Sequence, residues 1–198
     1  QSVVRQEVKR LRLGFATDEL KRHFDFMPVC PEMAIGLGTP RPTLRLVRDE
    51  RDHIRVQESQ NSSVDVTEQL IAVAEQTVER ARHISGYILC AKSPSCGMER
   101  VPVVAENGNG LGKIGSGAFA GRLMEKMPLL PVEENGRLND PLLRENFVLR
   151  VVAYHRWQQL NINGLTPAGL QTFHRPHTVL LLVQYLQTIQ ALYQFVVL

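Results

Sequence analysis

The chain has 198 residues, 43% of them hydrophobic and 22% charged, the balance of a globular protein with a core of useful size rather than of a disordered one. No apolar run reaches the roughly 18 residues of a bilayer span, so no membrane role is expected. Net charge is +3 and the pI about 8.9, which permits an anionic partner without requiring one; three cysteines are a poor count for a disulfide framework and point to a reducing, cytoplasmic setting.

The first twenty residues are basic and then switch to "ATDEL", where Thr17 is placed to cap a short helix running through Leu20 to His23. "FDFMPVC" reads as a short buried strand ending at Cys30, and "PEMAIGLGTPRP", with two glycines and three prolines, as a loop. "TLRLV" and "HIRV" alternate apolar and polar residues around the charged turn "RDERD", which predicts a hairpin. "DVTEQLIAVAEQTVERARHI" is the clearest helix: Asp65 and Glu68 have capping-box spacing, and Leu70, Ala74, Val78 and Ala81 recur at helical spacing. "GYILC" reads as a second short strand, followed by the polar loop "AKSPSCG". "NGNGLGKIGSG", which includes Lys113, reads as a glycine-rich loop whose backbone N–H groups could cradle an anion. It lacks the GK[ST] ending of a nucleotide-hydrolysing loop. "AFAGRLMEKM" predicts a helix with Phe119, Leu123, Met124 and Met127 on one face, and "LLPV" a third strand.

After "EENGRLND" the pattern is helical throughout. Asp140 can cap and Pro141 can open one helix, and Thr166 and Pro167 repeat that signal. The last stretch, "HTVLLLVQYLQTIQALYQFVVL", is interrupted by Gln184, Gln187, Gln190 and Gln194 and reads as an amphipathic helix packed on protein. The expected class is α/β: a small open, mainly parallel sheet flanked by helices over residues 1–136, then a small all-helical C-terminal domain over 137–198.

Cys30 and Cys96 both sit in polar, turn-forming surroundings beyond a short apolar run. Ligands of open α/β sheets bind outside the carboxyl ends of the strands, and two soft ligands from two such loops can converge on one metal. The competing reading is that a free cysteine packs as a small apolar group, and Cys90, the last residue of "GYILC", fits it well. There is no C-x-x-C spacing to support a zinc ribbon, and His174 and His177 lack a third ligand nearby.

The phrases "PVCPEMAIGLGTPRPTLRLV", "ILCAKSPSCG", "GKIGSGAFAGRLM" and "LLPVEENGRLNDPLLRENFVLRV" closely resemble the TudS/RudS-type desulfidase family, iron–sulfur enzymes that remove sulfur from thiouracil or thiouridine. "RVVAYHRWQQL…FHRPHTVLLL" resembles the YbgA-like helical domain fused to longer members. The resemblance implies a 4Fe–4S cluster held by three thiolates. Cys30 and Cys96 match two of them, and the third, in a "CLLG" stretch, is expected upstream of Gln1; Cys90 stands where the family often has lysine and would be a poor substitute. The implied activity is hydrolytic removal of sulfur from thiolated pyrimidines, foremost 4-thiouridine in tRNA, giving uridine and sulfide. The alternative is a non-catalytic RNA-binding or regulatory protein that has lost its cluster. A thiouracil-type small molecule is the other expected substrate.

On the catalytic reading Glu32 activates water or shuttles a proton. Ser93 and Ser95 bind the pyrimidine edge or the cluster sulfurs, unless they merely form the turn. Lys92 offsets cluster charge or meets a phosphate, with Lys113 as a second cationic candidate. For RNA the expected surface combines Arg150, Arg156 and Trp157 with neighbouring Arg144, Tyr154 and Arg175; aromatics at helical spacing equally suit a bundle core.

Overall fold

A computed structural model describes residues 20–80, 83–176 and 178. The Thr17 cap, Ala81 and, apart from Thr178, the amphipathic C-terminal segment lie outside the described residues. The elements in chain order are helix α1 (Pro31–Ala34), strands β1 (Leu44–Arg48) and β2 (Ile54–Glu58), helix α2 (Thr67–Arg80), strands β3 (Tyr87–Leu89), β4 (Val101–Ala105) and β5 (Gly110–Gly115), helix α3 (Ala118–Lys126), strand β6 (Val132–Glu134), a 3-10 turn (Arg137–Asn139) and helix α4 (Pro141–Ile162). Helical backbone resumes over 167–176.

The expected α/β class holds, with the strands divided between two sheets. One has the order β2-β1-β4-β5 and the other pairs β3 with β6. Parallel pairing is confined to β1 with β4 and β3 with β6; the two hairpins, β1 with β2 and β4 with β5, are antiparallel. The sheet expected as mainly parallel is therefore mixed, because both hairpin turns are too short for a crossover. Asp49 shapes the first turn: its Oδ1 accepts from Arg51 N and His53 N at 2.9 and 2.8 Å.

Three local expectations are corrected. "FDFMPVC" is not a buried strand: residues 24–30 have no regular structure, and Phe26 and Met27 are exposed. Pro28 removes a ladder donor there. "NGNGLGKIGSG" is not a loop but the turn and second strand of the β4–β5 hairpin. Its glycines hide the strand from a propensity reading. Gly115 is required by close approach: a Cβ there would lie 2.6 Å from Leu46 Cδ1 and 2.8 Å from Val103 Cγ2. The strand read at "LLPV" begins only at Val132.

The core fills the space between sheet and helices. Leu46, Val56, Val101 and Val103 pack with Leu70 of α2, and Ala74 meets Phe119 and Leu123 of α3. The start of α2 is tied to β2 by Val56 N donating to Thr67 Oγ1 at 2.7 Å. Asp65 Oδ1 accepts from Thr67 N at 2.9 Å. Glu68 does not complete a capping box; its carboxylate takes Arg55 Nη1 at 3.3 Å. Helix α4 starts as its sequence predicts, with Asp140 Oδ1 accepting from Leu142 N and Leu143 N and Pro141 in the first turn. Its Phe147 and Val151 are buried with Leu20 and Leu138, each burial contributing about 1.5–3 kcal/mol of transfer free energy. Gly86 makes room for this contact, since a Cβ there would lie 2.6 Å from Val151 Cγ2.

Candidate active site

Cys30 occupies the N-cap position of α1, in extended backbone, and Pro31 opens the helix. Glu32 therefore projects from the same turn. A second loop, residues 91–97, leaves the end of β3 and folds against the start of α3. Ser93 Oγ accepts from Ser95 N and Cys96 N at 3.2 and 3.1 Å, which closes the loop. Gly97 N donates to Ser93 O at 2.8 Å.

The two loops meet through Glu32. Its Oε1 accepts from Ser95 Oγ at 2.7 Å, and its Oε2 accepts from Arg41 Nη1 at 2.9 Å. The same Arg41 nitrogen reaches Cys30 Sγ at 3.4 Å. Ser95 is fully buried, so its hydroxyl would be costly to leave without a partner. Cys30, Glu32, Ser95 and Cys96, expected from the sequence, are thus drawn to one place, with Ser93 as the residue that shapes the loop. Cys96 packs against two core clusters, one that contains Leu89 and Ala120 and one that contains Phe119 and Leu123. Burial pushes its thiol well up from the ordinary cysteine value, and the charges of Glu32, Cys90 and Cys30 add to this. Cys90 is exposed and does not pack as the small apolar residue its place after "GYIL" suggested; its thiol is still raised, by the partial desolvation of its surroundings first and then by Glu32, Glu134 and Cys30. The three sulfurs and the carboxylate are therefore within one another's electrostatic reach. The Tyr87 phenol, packed on Phe119 at a ring distance of 6.0 Å, is likewise raised by burial and by Cys96 and Cys30.

The remaining candidates stand elsewhere or are already engaged. Lys92 opens the second loop, exposed, with φ of 62°. Lys113 is exposed on strand β5, paired with Pro102, and not in an anion-cradling loop. The N–H groups before α3 are not offered to a ligand: Gly117, Ala118 and Ala120 donate to the carbonyls of Gly97, Pro94 and Ser95. Arg150 and Arg156 are exposed on α4. Trp157 is half-buried, with its ring 5.6 Å from that of Phe173.

Several residues escaped the sequence reading. Arg41 lies in the "GTPRP" loop, eleven residues past Cys30, and neither composition nor spacing singles it out. Glu134 is buried and accepts from Met98 N at 3.0 Å, holding the far end of the cysteine loop. Asn135 Oδ1 accepts from Ala91 N at 3.2 Å and holds the near end. Gly117 lets α3 approach: a Cβ there would sit 2.4 Å from the Ser95 carbonyl carbon.

Fold and site together define an α/β protein whose loops gather soft thiols around a carboxylate clamped by a serine and an arginine. The chain belongs to the 2-thiouracil desulfurase family, whose model matches residues 2–135. It is similar to the solved structure of a 4Fe–4S-dependent thiouracil desulfidase, TudS, at 26% identity and a TM-score of 0.50, over 67% of this chain and 82% of that one. Among curated proteins none matches. Cys30 and Cys96 have the donor chemistry an iron–sulfur group requires. Among the described residues, no three His, Cys, Asp or Glu side chains form a group that could hold a metal ion. The fit on this chain is thus carried by two thiols.

Proposed function

We propose that the chain is an iron–sulfur-dependent desulfidase acting on thiolated pyrimidines, with 4-thiouridine in tRNA as the foremost substrate. The observation that carries this reading is the continuous chain of contacts Cys30–Arg41–Glu32–Ser95, which joins the two cysteine loops through one carboxylate. Family membership and the similarity to TudS support it.

Cys30 and Cys96 would hold the cluster. When bound, it supplies a soft Lewis-acidic iron that suits the sulfur of a thiocarbonyl. The protein's own residues do the rest. Glu32 is oriented from both sides, and its carboxylate is the group placed to take a proton from the attacking water. Ser95, fixed on Glu32 Oε1, holds that oxygen's direction and can return a proton along the same bond. Ser93 keeps the loop closed. The net change is hydrolytic: the water oxygen bonds to the pyrimidine carbon, the carbon–sulfur bond breaks, and sulfur leaves as sulfide with the two protons of water, without net electron transfer. The exposed Arg150 and Arg156 on α4 favour an RNA substrate over a free base, since their charges suit phosphates.

The test is sulfide release by the anaerobically prepared, iron-loaded chain from 2-thiouracil, 4-thiouridine monophosphate and thiolated tRNA, measured side by side. Turnover of any of the three supports the activity, and the fastest turnover on tRNA supports the finer substrate. A chain that holds iron but releases no sulfide from any of them overturns the reading. A colourless chain that binds tRNA with a steep salt dependence supports the non-catalytic alternative.

A further inference from the structure

We propose that Arg41 is a positioning residue of this site, one guanidinium nitrogen fixing the Cys30 sulfur and the Glu32 carboxylate in a single frame. The inference rests on the desulfidase reading for its activity measurement, and on contact geometry alone for the rest. Arg41 Nη1 lies 3.4 Å from Cys30 Sγ and 2.9 Å from Glu32 Oε2. The arginine reaches back across the loop that follows α1, so the contact closes that loop on itself. The side chains of Arg41 and Glu32 keep only 30% and 18% of their exposure, so the pair is partly desolvated and less screened than a surface pair.

Two physical needs converge on this residue. A carboxylate on a helix of four residues has little to restrain its rotamers, and a general base must be held in one direction to be useful. Ser95 fixes one oxygen and Arg41 the other. The second need is charge. The groups gathered here, Cys30, Cys90, Cys96, Glu32 and Glu134, all become anions on ionisation, and Arg41 is the cation in direct contact with two of them. A lysine cannot replace it fully, because an ammonium is a freely rotating point charge on a flexible stem, whereas the planar guanidinium fixes the directions of the two hydrogens of Nη1, one toward the sulfur and one toward the carboxylate.

The experiment compares wild type with Arg41→Met, Arg41→Lys and Arg41→Ala as iron-loaded proteins. Three quantities are read: iron per chain, the reduction potential of the bound cluster, and kcat and KM for sulfide release from 2-thiouracil. Arg41→Met is expected to keep its iron and lower kcat about 100-fold, the scale of a misplaced catalytic group, with KM changed less than about threefold. Its potential falls, because a positive hydrogen-bond donor has left a ligand sulfur. Arg41→Lys recovers much of the potential but not of kcat, and added guanidinium ion restores part of kcat in Arg41→Ala. Wild-type kcat and potential in Arg41→Met overturn the proposal. So does loss of iron and thermal stability in parallel in all three variants without guanidinium rescue, which marks a merely structural arginine. If wild type holds iron but releases no sulfide, the desulfidase reading fails, and the potential shift still decides whether Arg41 acts on Cys30.

Discussion

The four-stranded sheet and the β3–β6 pair bury different kinds of side chain. In the larger sheet Leu46, Val47, Val56, Val101 and Val103 are all essentially without exposure. In the smaller one, both glutamates of β6 are buried, and so is Ser95 in the adjoining loop. Buried carboxylates are costly unless bonded, and these are bonded: Glu133 accepts from Arg137 Nε at 2.8 Å and Glu134 from Met98 N at 3.0 Å. Parallel pairing puts the carboxyl ends of β3 and β6 on one edge, which is why Asn135 can reach Ala91. The apolar sheet thus sets the fold, and the polar pair sets the angles of the loop that carries Cys96. Apolar packing is non-directional; hydrogen bonds to buried carboxylates are directional, which suits a region that must aim a thiol.

If that division of labour is right, the two regions fail in different ways. Replacing Cys30 or Cys96 by alanine should have the largest effect: iron per chain drops to background and sulfide release is lost, while the urea midpoint moves little. Full iron content in either variant would contradict the assignment of those thiols. Leu70→Ala is the converse. Leu70 is wholly buried between α2 and the sheet, so its truncation should cost about 2–5 kcal/mol in urea unfolding. Iron per folded chain should stay at the wild-type level. Loss of iron from Leu70→Ala under conditions where it remains folded would show that the two regions are not separable.

The same contrast explains what could be read in advance. The first hairpin, α2, α3 and the start of α4 were legible because their signals are local: alternation, helical spacing, and a cap with proline beside it. Cys30, Glu32, Ser93, Ser95 and Cys96 were legible through two phrases that resemble a known family and stand in turn-forming contexts. Strand β5 was not, because its glycines lack strand propensity and the one that serves close packing, Gly115, does so under Leu46, a partner far away in sequence. The supposed strand before Cys30 failed for the opposite reason: an apolar run suggested burial, but no strand pairs with it among the described residues. Arg41, Glu134 and Asn135 act through contacts made only after the loops meet, so composition and spacing carried no trace of their roles.

The smallest expected effect sharpens the comparison from the apolar side, where one charged residue does matter. Asp65 Oδ1 takes Thr67 N at the start of α2, and its Oδ2 takes Arg55 Nε at 2.8 Å. Burial alone would raise its pKa, but the hydrogen bonds from Thr67 and Arg55, with the arginine's charge, carry it below the ordinary carboxylate value. A carboxyl depressed in the folded state stabilises the fold above the unfolded value, near 4, and that contribution is lost as pH falls through the folded one. Asp65→Ala should therefore cost about 1 kcal/mol at neutral pH, the usual worth of a helix cap. The gap from wild type should narrow as urea titrations are moved from pH 7 to pH 3. Asp65→Asn keeps the cap oxygen and loses only the charge on Arg55, so it should cost less, about 0.2–1 kcal/mol. A gap that stays constant with pH would mean that Asp65 acts by shape and not by charge, and would leave the buried carboxylates beside the cysteine loop as the better place to look for electrostatic control of stability.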